Sequence, residues 1–325
     1  MLVYLIRRVG GALLVMAVMA VIVFVAIYAV GDPVDVLASP EADQAERAEI
    51  ARRLGLDRPL ALQFGTFLWN ALGGDLGRSF VYNVPAVEVI LSRLPATLEL
   101  AMAGLLFAVL VGVPLGLLAG LKPHGPVGRG IMTGSIVGFS LPNFWIGLML
   151  ILLFAVELRL LPASGRGETV SLGGVPVAFL TVDGLRHLLL PALTLALYKT
   201  SLVVRIAEAG TRETMGQDFI RFARAKGLSP GRIVGVHVLK AVSIPIITVL
   251  GLELGSMIAF AVVTETVFAY PGMGKLLIDS INRLDRPVVV AYLMLTVVIF
   301  VVINLVVDLL YAAIDPRVRL GEAGT

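Results

Sequence analysis

Apolar residues in this chain gather into long unbroken runs instead of alternating with polar ones. Uncharged stretches extend from Val9 to Gly31, Leu100 to Leu121, Gly130 to Val156 and Val288 to Val307. Each provides the roughly 20 residues that a helix needs to cross about 30 Å of hydrocarbon. Two further runs carry a charge: Leu188 to Val204 contains Lys199, and Ala241 to Thr264 contains Glu253. The pattern predicts six membrane helices, and the two charged ones must keep a polar side away from lipid. Pro142 and Asn143 fall inside the third run, where a local break is expected. Pro191 is expected in the first turn of the fourth span, and Pro245 at the opening of the fifth.

Between these runs lie polar segments of different kinds. Residues 31–95 combine a charged amphipathic stretch from Ala42 to Leu54 with an aromatic one around Phe64, Phe67 and Trp69. This is long for a loop and short for an independent core, and reads as a small extracytoplasmic insertion packed on the membrane helices. Residues 157–187 form a second outer loop. The most charged connection is central, from Gln217 to Lys240. A helix ending at Gly227, where a left-handed residue is needed, and another starting with Ser229 as N-cap and Pro230 at its first position predict a sharp helix–turn–helix. Phe219, Phe222 and Ala223 would share one face at spacings of three and four, with Arg221, Arg224 and Lys226 on the others. That arrangement suits a partner's groove. A plain basic cytoplasmic connection gives the same charge pattern.

Composition sharpens this picture: 58% of the 325 residues are hydrophobic and only 15% charged, so an integral membrane protein is expected. Basic residues set the orientation. Arg7, Arg8, Lys122, Arg129, the central cluster, Arg317 and Arg319 share one side if both termini are cytoplasmic, and that side then holds the central loop. The first apolar run is longer than an ordinary signal core and is kept as a span. Without cysteine, disulfides and thiolate metal sites are excluded. Small residues recur at four-residue spacing as Gly112, Gly116 and Gly120, as Gly130, Gly134 and Gly138, and as Gly251 and Gly255, which suits close helix packing in lipid.

No catalytic site assembles from the sequence. Gly274-Lys275 lacks the upstream glycine of a phosphate-binding loop, and His124, His187 and His237 show no metal-ligand spacing. Candidate pathway or buried polar residues are Asn143 and Glu253, inside apolar runs, and Asp308, at the end of one. Glu253 either lines a path for substrate or is a buried partner of Lys199 or Arg205; both readings stand at this stage.

The central loop resembles the EAA loop of ABC-importer permeases. Arg221, Phe222 and Ala223 fall in the triplet positions, Gly227 in the glycine position, and His237, Val238, Leu239 and Lys240 at the end. The first acid and last proline of that pattern are missing, and Ala223-Arg224-Ala225-Lys226-Gly227-Leu228 is similar to the form used by peptide permeases. Tyr4-Leu5, Arg7-Arg8, Gly31-Asp32-Pro33, Leu54 to Leu60, Gly74 to Ser79, Arg93 to Leu100, Leu161 to Gly165, Glu265 to Phe268 with Pro271-Gly272, and Asp315-Pro316-Arg317 extend the likeness over nearly the whole chain. On these motifs the chain is identified as resembling the B-type permease subunit of oligopeptide and dipeptide ABC importers, a branch that also holds nickel and glutathione importers.

The resemblance implies an all-α polytopic membrane protein with six transmembrane helices. The expected layout is a start and first helix at 1–30, the insertion at 31–95, a five-helix core at 96–315 with the coupling loop at 208–243, and a cytoplasmic tail at 316–325. It implies a multi-pass protein of the bacterial cytoplasmic membrane, in contact with lipid and not with nucleic acid. The implied partners are a C-type permease subunit, two cytoplasmic ATPase subunits and an extracytoplasmic peptide-binding protein. The chain itself would be non-catalytic and without cofactor, ATP and Mg being bound by the ATPases. Coupling would rest on Arg221, Phe222, Ala223, Arg224, Ala225, Lys226, Gly227 and Leu228. The competing classes are a proton-driven secondary transporter working through Glu253 or Asp308, and a membrane scaffold without transport.

Overall fold

A computed structural model of the chain describes residues 2–29, 34, 41, 43–53 and 55–314. The expected motifs at Gly31-Asp32-Pro33 and Asp315-Pro316-Arg317, the tail, and the side chains of Tyr4, Leu5, Arg7, Arg8 and Asp308 lie outside the described residues. Among the described residues the regular structure is helical apart from one two-stranded hairpin. It divides into two compact units, residues 1–94 with 272–302, and residues 95–271 with 303–325.

In the first unit, helix α1 runs Leu2–Ala29, α2 Gln44–Arg53 and α3 Leu60–Leu72. The start of α4, Ala86–Leu121, also belongs here, as do α10, Met273–Asn282, and most of α11, Arg286–Ile314. The segment after α3 is fastened by Asp285, which is fully buried. Its carboxylate accepts hydrogen bonds from Ser79 Oγ at 2.5 Å and the Phe80 amide at 3.0 Å, and Ser79 Oγ in turn accepts from the Tyr82 amide at 2.9 Å. Three donors directed at one buried carboxylate and its serine satisfy groups that burial would otherwise leave unpaired.

The second unit contains the remainder of α4, then α5, Pro126–Ser140, and α6, Asn143–Glu157. Strands β1, Val170–Leu172, and β2, Val175–Val177, pair antiparallel across Gly173 and Gly174. Both glycines have positive φ, +60° and +88°, as the tight two-residue turn requires. Helix α7 is Val182–Met215, α8 Asp218–Ala225 and α9 Pro230–Val267. Helix α7 is the centre of this unit, packing against α5, α6 and α9.

Four of these helices, α4, α7, α9 and α11, are long and apolar enough to cross a membrane without a break. The third expected span is broken: α5 and α6 meet at 104° across Leu141-Pro142, so the pair makes a fifth span only as a bent one. Proline explains the site, since it cannot supply an amide to the α5 ladder and disfavours helical geometry at Leu141. Of the first expected span, the described apolar part is Leu13–Val25 within α1.

Two boundaries differ from the sequence expectation. Helix α7 is capped by Thr181, whose Oγ1 accepts from the Gly184 amide at 2.9 Å, so Pro191 lies well inside the helix and is not in its first turn. Helix α9 begins at Pro230 and passes through a π-helical stretch, Ile233–Val238, so Pro245 lies inside it as well. Interior prolines are tolerated where apolar neighbours enclose the helix and the ladder can adjust locally.

The glycine stripe of α4 faces α7. A Cβ on Gly112 would come within 2.8 Å of Val203, one on Gly116 within 2.4 Å of Ala207, and one on Gly120 within 2.5 Å of Thr211. The backbones therefore approach more closely than any side chain allows. The stripe of α5 does not repeat this. Gly130 and Gly134 have open space around them, and only Gly138 meets α7, at Ser201. Gly251 of α9 lies against Val307.

Candidate functional site

The turn between α8 and α9 is built as its residues dictate. Gly227 has φ +75°, the left-handed conformation that side chains disfavour. Its amide donates to Arg224 O at 2.9 Å, and the Leu228 amide reaches back to Ala223 O at 3.2 Å. These two bonds are the Schellman pattern, which closes a helix end and reverses the chain in two residues. Leu228 and Ala223 then pack in one hydrophobic cluster, completing the motif. Pro230 occupies the first position of α9 as expected, but the Ser229 side chain makes no capping bond.

The expected apolar face divides in two. Ile220 and Ala223 are buried, packed with Ile233, Val238 and Val242 of α9 and Val203 and Ala207 of α7. Phe219 and Phe222 are exposed, at 48% and 61%. Ala223 thus belongs to the inner face with Ile220, a residue that spacing arguments passed over. At about 100° per residue, Ala223 lies between Phe219 and Ile220 around the helix, and the packed side decides which neighbour it joins. Arg221, Arg224, Ala225 and Lys226 are exposed, with Lys226 Nζ 4.5 Å from the centre of the Phe222 ring. The arrangement is a short charged helix, locked by its inner face to two spanning helices, that presents two aromatic rings and several cations outward.

A second polar constellation links α7 to α9. Lys199 and Glu253 form an ion pair, and Ser256 Oγ lies 3.0 Å from Lys199 Nζ and 2.7 Å from Glu253 Oε2. Of the two partners named for Glu253, the structure pairs it with Lys199. Arg205 instead lies over the Phe139 ring at 4.3 Å, and Phe139 stacks on Tyr198 at 4.6 Å. Asn143 opens α6 just after the break and is partly buried. In a double-mutant cycle, Glu253→Ala and Lys199→Met should each cost about 1–2 kcal/mol, reduced from the fully buried value by partial exposure, and the double variant less than their sum. Thermal melting of the purified protein checks this; strict additivity would mean the pair carries no coupling.

Sequence reasoning missed a polar knot centred on Glu99. Its carboxylate receives Arg166 Nε at 3.0 Å and Nη2 at 2.9 Å on one oxygen, with the Tyr270 hydroxyl at 3.2 Å. The other oxygen receives the Ala178 and Phe179 amides at 2.6 and 2.8 Å. Arg166 also donates to Pro176 O at 2.8 Å, so the hairpin is tied to α4 through one side chain. Burial and the adjacent carboxylate push the Tyr270 phenol above its usual range. The available signal was an acid at the entry of an apolar run and an arginine in a connecting loop, but nothing in the spacing pairs them.

No group of three or more metal-ligating side chains occurs among the described residues.

Comparison with known proteins follows the same lines. Residues 112–320 match the family described as "Binding-protein-dependent transport system inner membrane component", and residues 1–101 match its N-terminal companion. The chain is 40% identical over 302 residues to the di/tripeptide transport system permease protein DppB of Pseudomonas aeruginosa (strain UCBPP-PA14), covering 89% of this chain and 90% of that protein. It is 35% identical over 336 residues to the dipeptide transport system permease protein DppB of Escherichia coli (strain K12), covering 98% and 99%. Among solved structures, an inward-facing form of the MetNI methionine ABC transporter matches in fold, with TM-score 0.55, 16% identity, and coverage of 70% of this chain and 96% of that one.

Proposed function

Because the chain belongs to the binding-protein-dependent transport system inner membrane component family, we propose that it is the transmembrane permease subunit of an ATP-driven importer of short peptides. It forms the translocation path with a related permease subunit and receives substrate from an extracytoplasmic binding protein. Two cytoplasmic ATPase subunits bind ATP and Mg, and this chain transmits their motion. Both termini and the α8–α9 turn face the cytoplasm.

The observation that carries this reading is the α8 helix. Its inner face, Ile220 and Ala223, is packed into α7 and α9, while Phe219 and Phe222 remain exposed on its outer face. Two exposed aromatic side chains bordered by cations are suited to anchoring in a groove. Helix α9 continues from the turn through Val267, so a displacement at α8 reaches the far end of a span without an intervening hinge loop. Small rigid-body shifts of packed helices are how such motion passes between sites.

The test is ATP hydrolysis and peptide uptake by the reconstituted complex, with and without loaded binding protein. Phe222→Asp alters only the exposed face and should cut substrate-stimulated hydrolysis at least about tenfold, as loss of an aromatic anchor worth about 2 kcal/mol would. Gly227→Pro cannot adopt the required positive φ and should uncouple the two activities, whereas Gly227→Ala, at a strain of about 1 kcal/mol and with open space for its methyl, should be mild. Unchanged coupled uptake in Phe222→Asp would show that α8 is only a basic connection.

A further inference from the structure

Helix α3, Leu60–Leu72, contains no residue buried below the surface, and from Pro59 to Gly74 the sequence carries no charge. Leu62, Trp69 and Leu72 are 60%, 78% and 78% exposed. A helix this apolar does not remain in water with its large side chains open.

Its contacts supply an orientation. Phe64 and Phe67 pack on Phe24, with ring centres 5.2 and 5.9 Å apart. Phe24 lies near the end of α1, whose Leu13, Leu14, Val18, Val21, Ile22 and Val25 are exposed along its apolar stretch Leu13–Val25. At about 100° per residue, the direction of Phe64 and Phe67 fixes the other sides of α3. Gln63, Thr66 and Asn70 fall about a quarter-turn to one side. Ala61, Gly65, Leu68 and Leu72 fall about a quarter-turn to the other, and Leu62 and Trp69 face directly away from α1.

The polar side has its own cover. Gln63 Nε2 donates to Leu56 O at 3.0 Å and Arg58 O at 2.8 Å, so the charged connection holding Asp57 and Arg58 lies over that stripe. Water therefore belongs on the Gln63–Asn70 side. The opposite side, formed by Ala61, Gly65, Leu68 and Leu72, is wholly apolar. Trp69 projects sideways between the two levels, where an indole with one polar edge is most favourable at a membrane boundary.

We infer that α3 lies along the membrane–water boundary beside the end of α1, with Leu68 and Leu72 in the acyl region, Trp69 at headgroup level and Gln63, Thr66 and Asn70 toward water. The partner of this surface is lipid. This part of the insertion is then a membrane-surface helix that fixes the depth of α1.

The chain has no cysteine, so single cysteines at Gln63, Leu68, Trp69, Asn70 and Leu72 can each carry a nitroxide in the complete complex in lipid vesicles. The complex without an introduced cysteine, labelled identically, gives the background from the partner subunits. Collisions with oxygen, which partitions into lipid, and with a water-soluble nickel chelate are compared. The expected result is a helical period, with oxygen favoured several-fold at Leu68 and Leu72, the chelate favoured at Gln63 and Asn70, and Trp69 between. If the chelate reaches Leu72 as readily as Asn70, or if neither agent reaches Leu68 and Leu72 because a protein covers them, the inference fails. A second measurement needs no label. The difference in fluorescence between Trp145→Phe and Trp145→Phe/Trp69→Phe isolates Trp69, and vesicles with brominated acyl chains should quench it; an unquenched difference signal would also overturn the proposal.

Discussion

Glu99→Ala is expected to detach the hairpin loop of the second unit from α4 and to give the largest stability loss of any single substitution in that loop's supports. The carboxylate is the meeting point of Arg166, Tyr270 and two backbone amides. The side chains of Glu99 and Arg166 are only 4% and 10% exposed. Removing one partner of such a pair leaves the other charge enclosed, which costs about 3–5 kcal/mol. The Ala178 and Phe179 amides lose their acceptor as well, each a further destabilisation of about 1 kcal/mol or more. Glu99→Gln keeps the shape and an acceptor oxygen, so it should fall between wild type and alanine. The double variant Glu99→Ala/Arg166→Met should be milder than Glu99→Ala alone, because no charge is stranded. Limited proteolysis with mass analysis reads this directly, since new cuts between residues 161 and 181 should appear while the spanning helices stay whole. A Glu99→Ala protein with wild-type melting and no new cuts would show that the knot contributes nothing to holding the loop.

Gly116→Val is the second. A Cβ at this position would sit 2.4 Å from Ala207 Cβ and 2.7 Å from Val204 O. One of those atoms is backbone, so neither side-chain rotation nor a modest shift relieves the clash; α4 and α7 must separate. Overpacking of this kind costs up to about 3 kcal/mol. The loss would spread, because α7 is the helix on which α5, α6 and α9 also pack. Gly134→Ala is the control, since nothing lies within 4 Å of its added methyl. Its effect should stay within about 0.5 kcal/mol. Yield and melting temperature of the two variants in the same detergent check the pair, and equal behaviour would remove close α4–α7 packing as a determinant of the fold.

The two variants separate kinds of information that the sequence holds unequally. The four-residue glycine spacing on α4 and on α5 looks the same in the sequence, yet only the α4 stripe meets a backbone along its length. A small residue permits close approach and does not command it; the partner helix supplies the command. In the same way, Phe219, Phe222 and Ala223 share a face by spacing, but packing against α7 and α9 places Ala223 inside with Ile220 and leaves the two rings outside. For the proposed coupling this means that Phe219 and Phe222 are the side chains left open to a partner, while Ala223 is packed on the inner face of the helix that presents them.

What the sequence determined by itself are the features whose causes are local. Unbroken apolar runs specify spanning helices, because every backbone group in lipid must be bonded within its own segment. Gly227 turns the chain because only glycine enters the left-handed region without strain, and proline marks where a helix can break, as at Leu141-Pro142, although Pro191 and Pro245 stay inside unbroken helices. What the tertiary structure alone decided are the pairings between distant polar groups. Arg166 and Glu99 are separated by 67 residues, Lys199 and Glu253 by 54, and Ser79 and Asp285 by 206. A buried charge must have a partner, and that much is legible from its position in an apolar run. Which partner it takes depends on which helices lie side by side, and that follows from packing complementarity spread over the whole chain, which no local window contains.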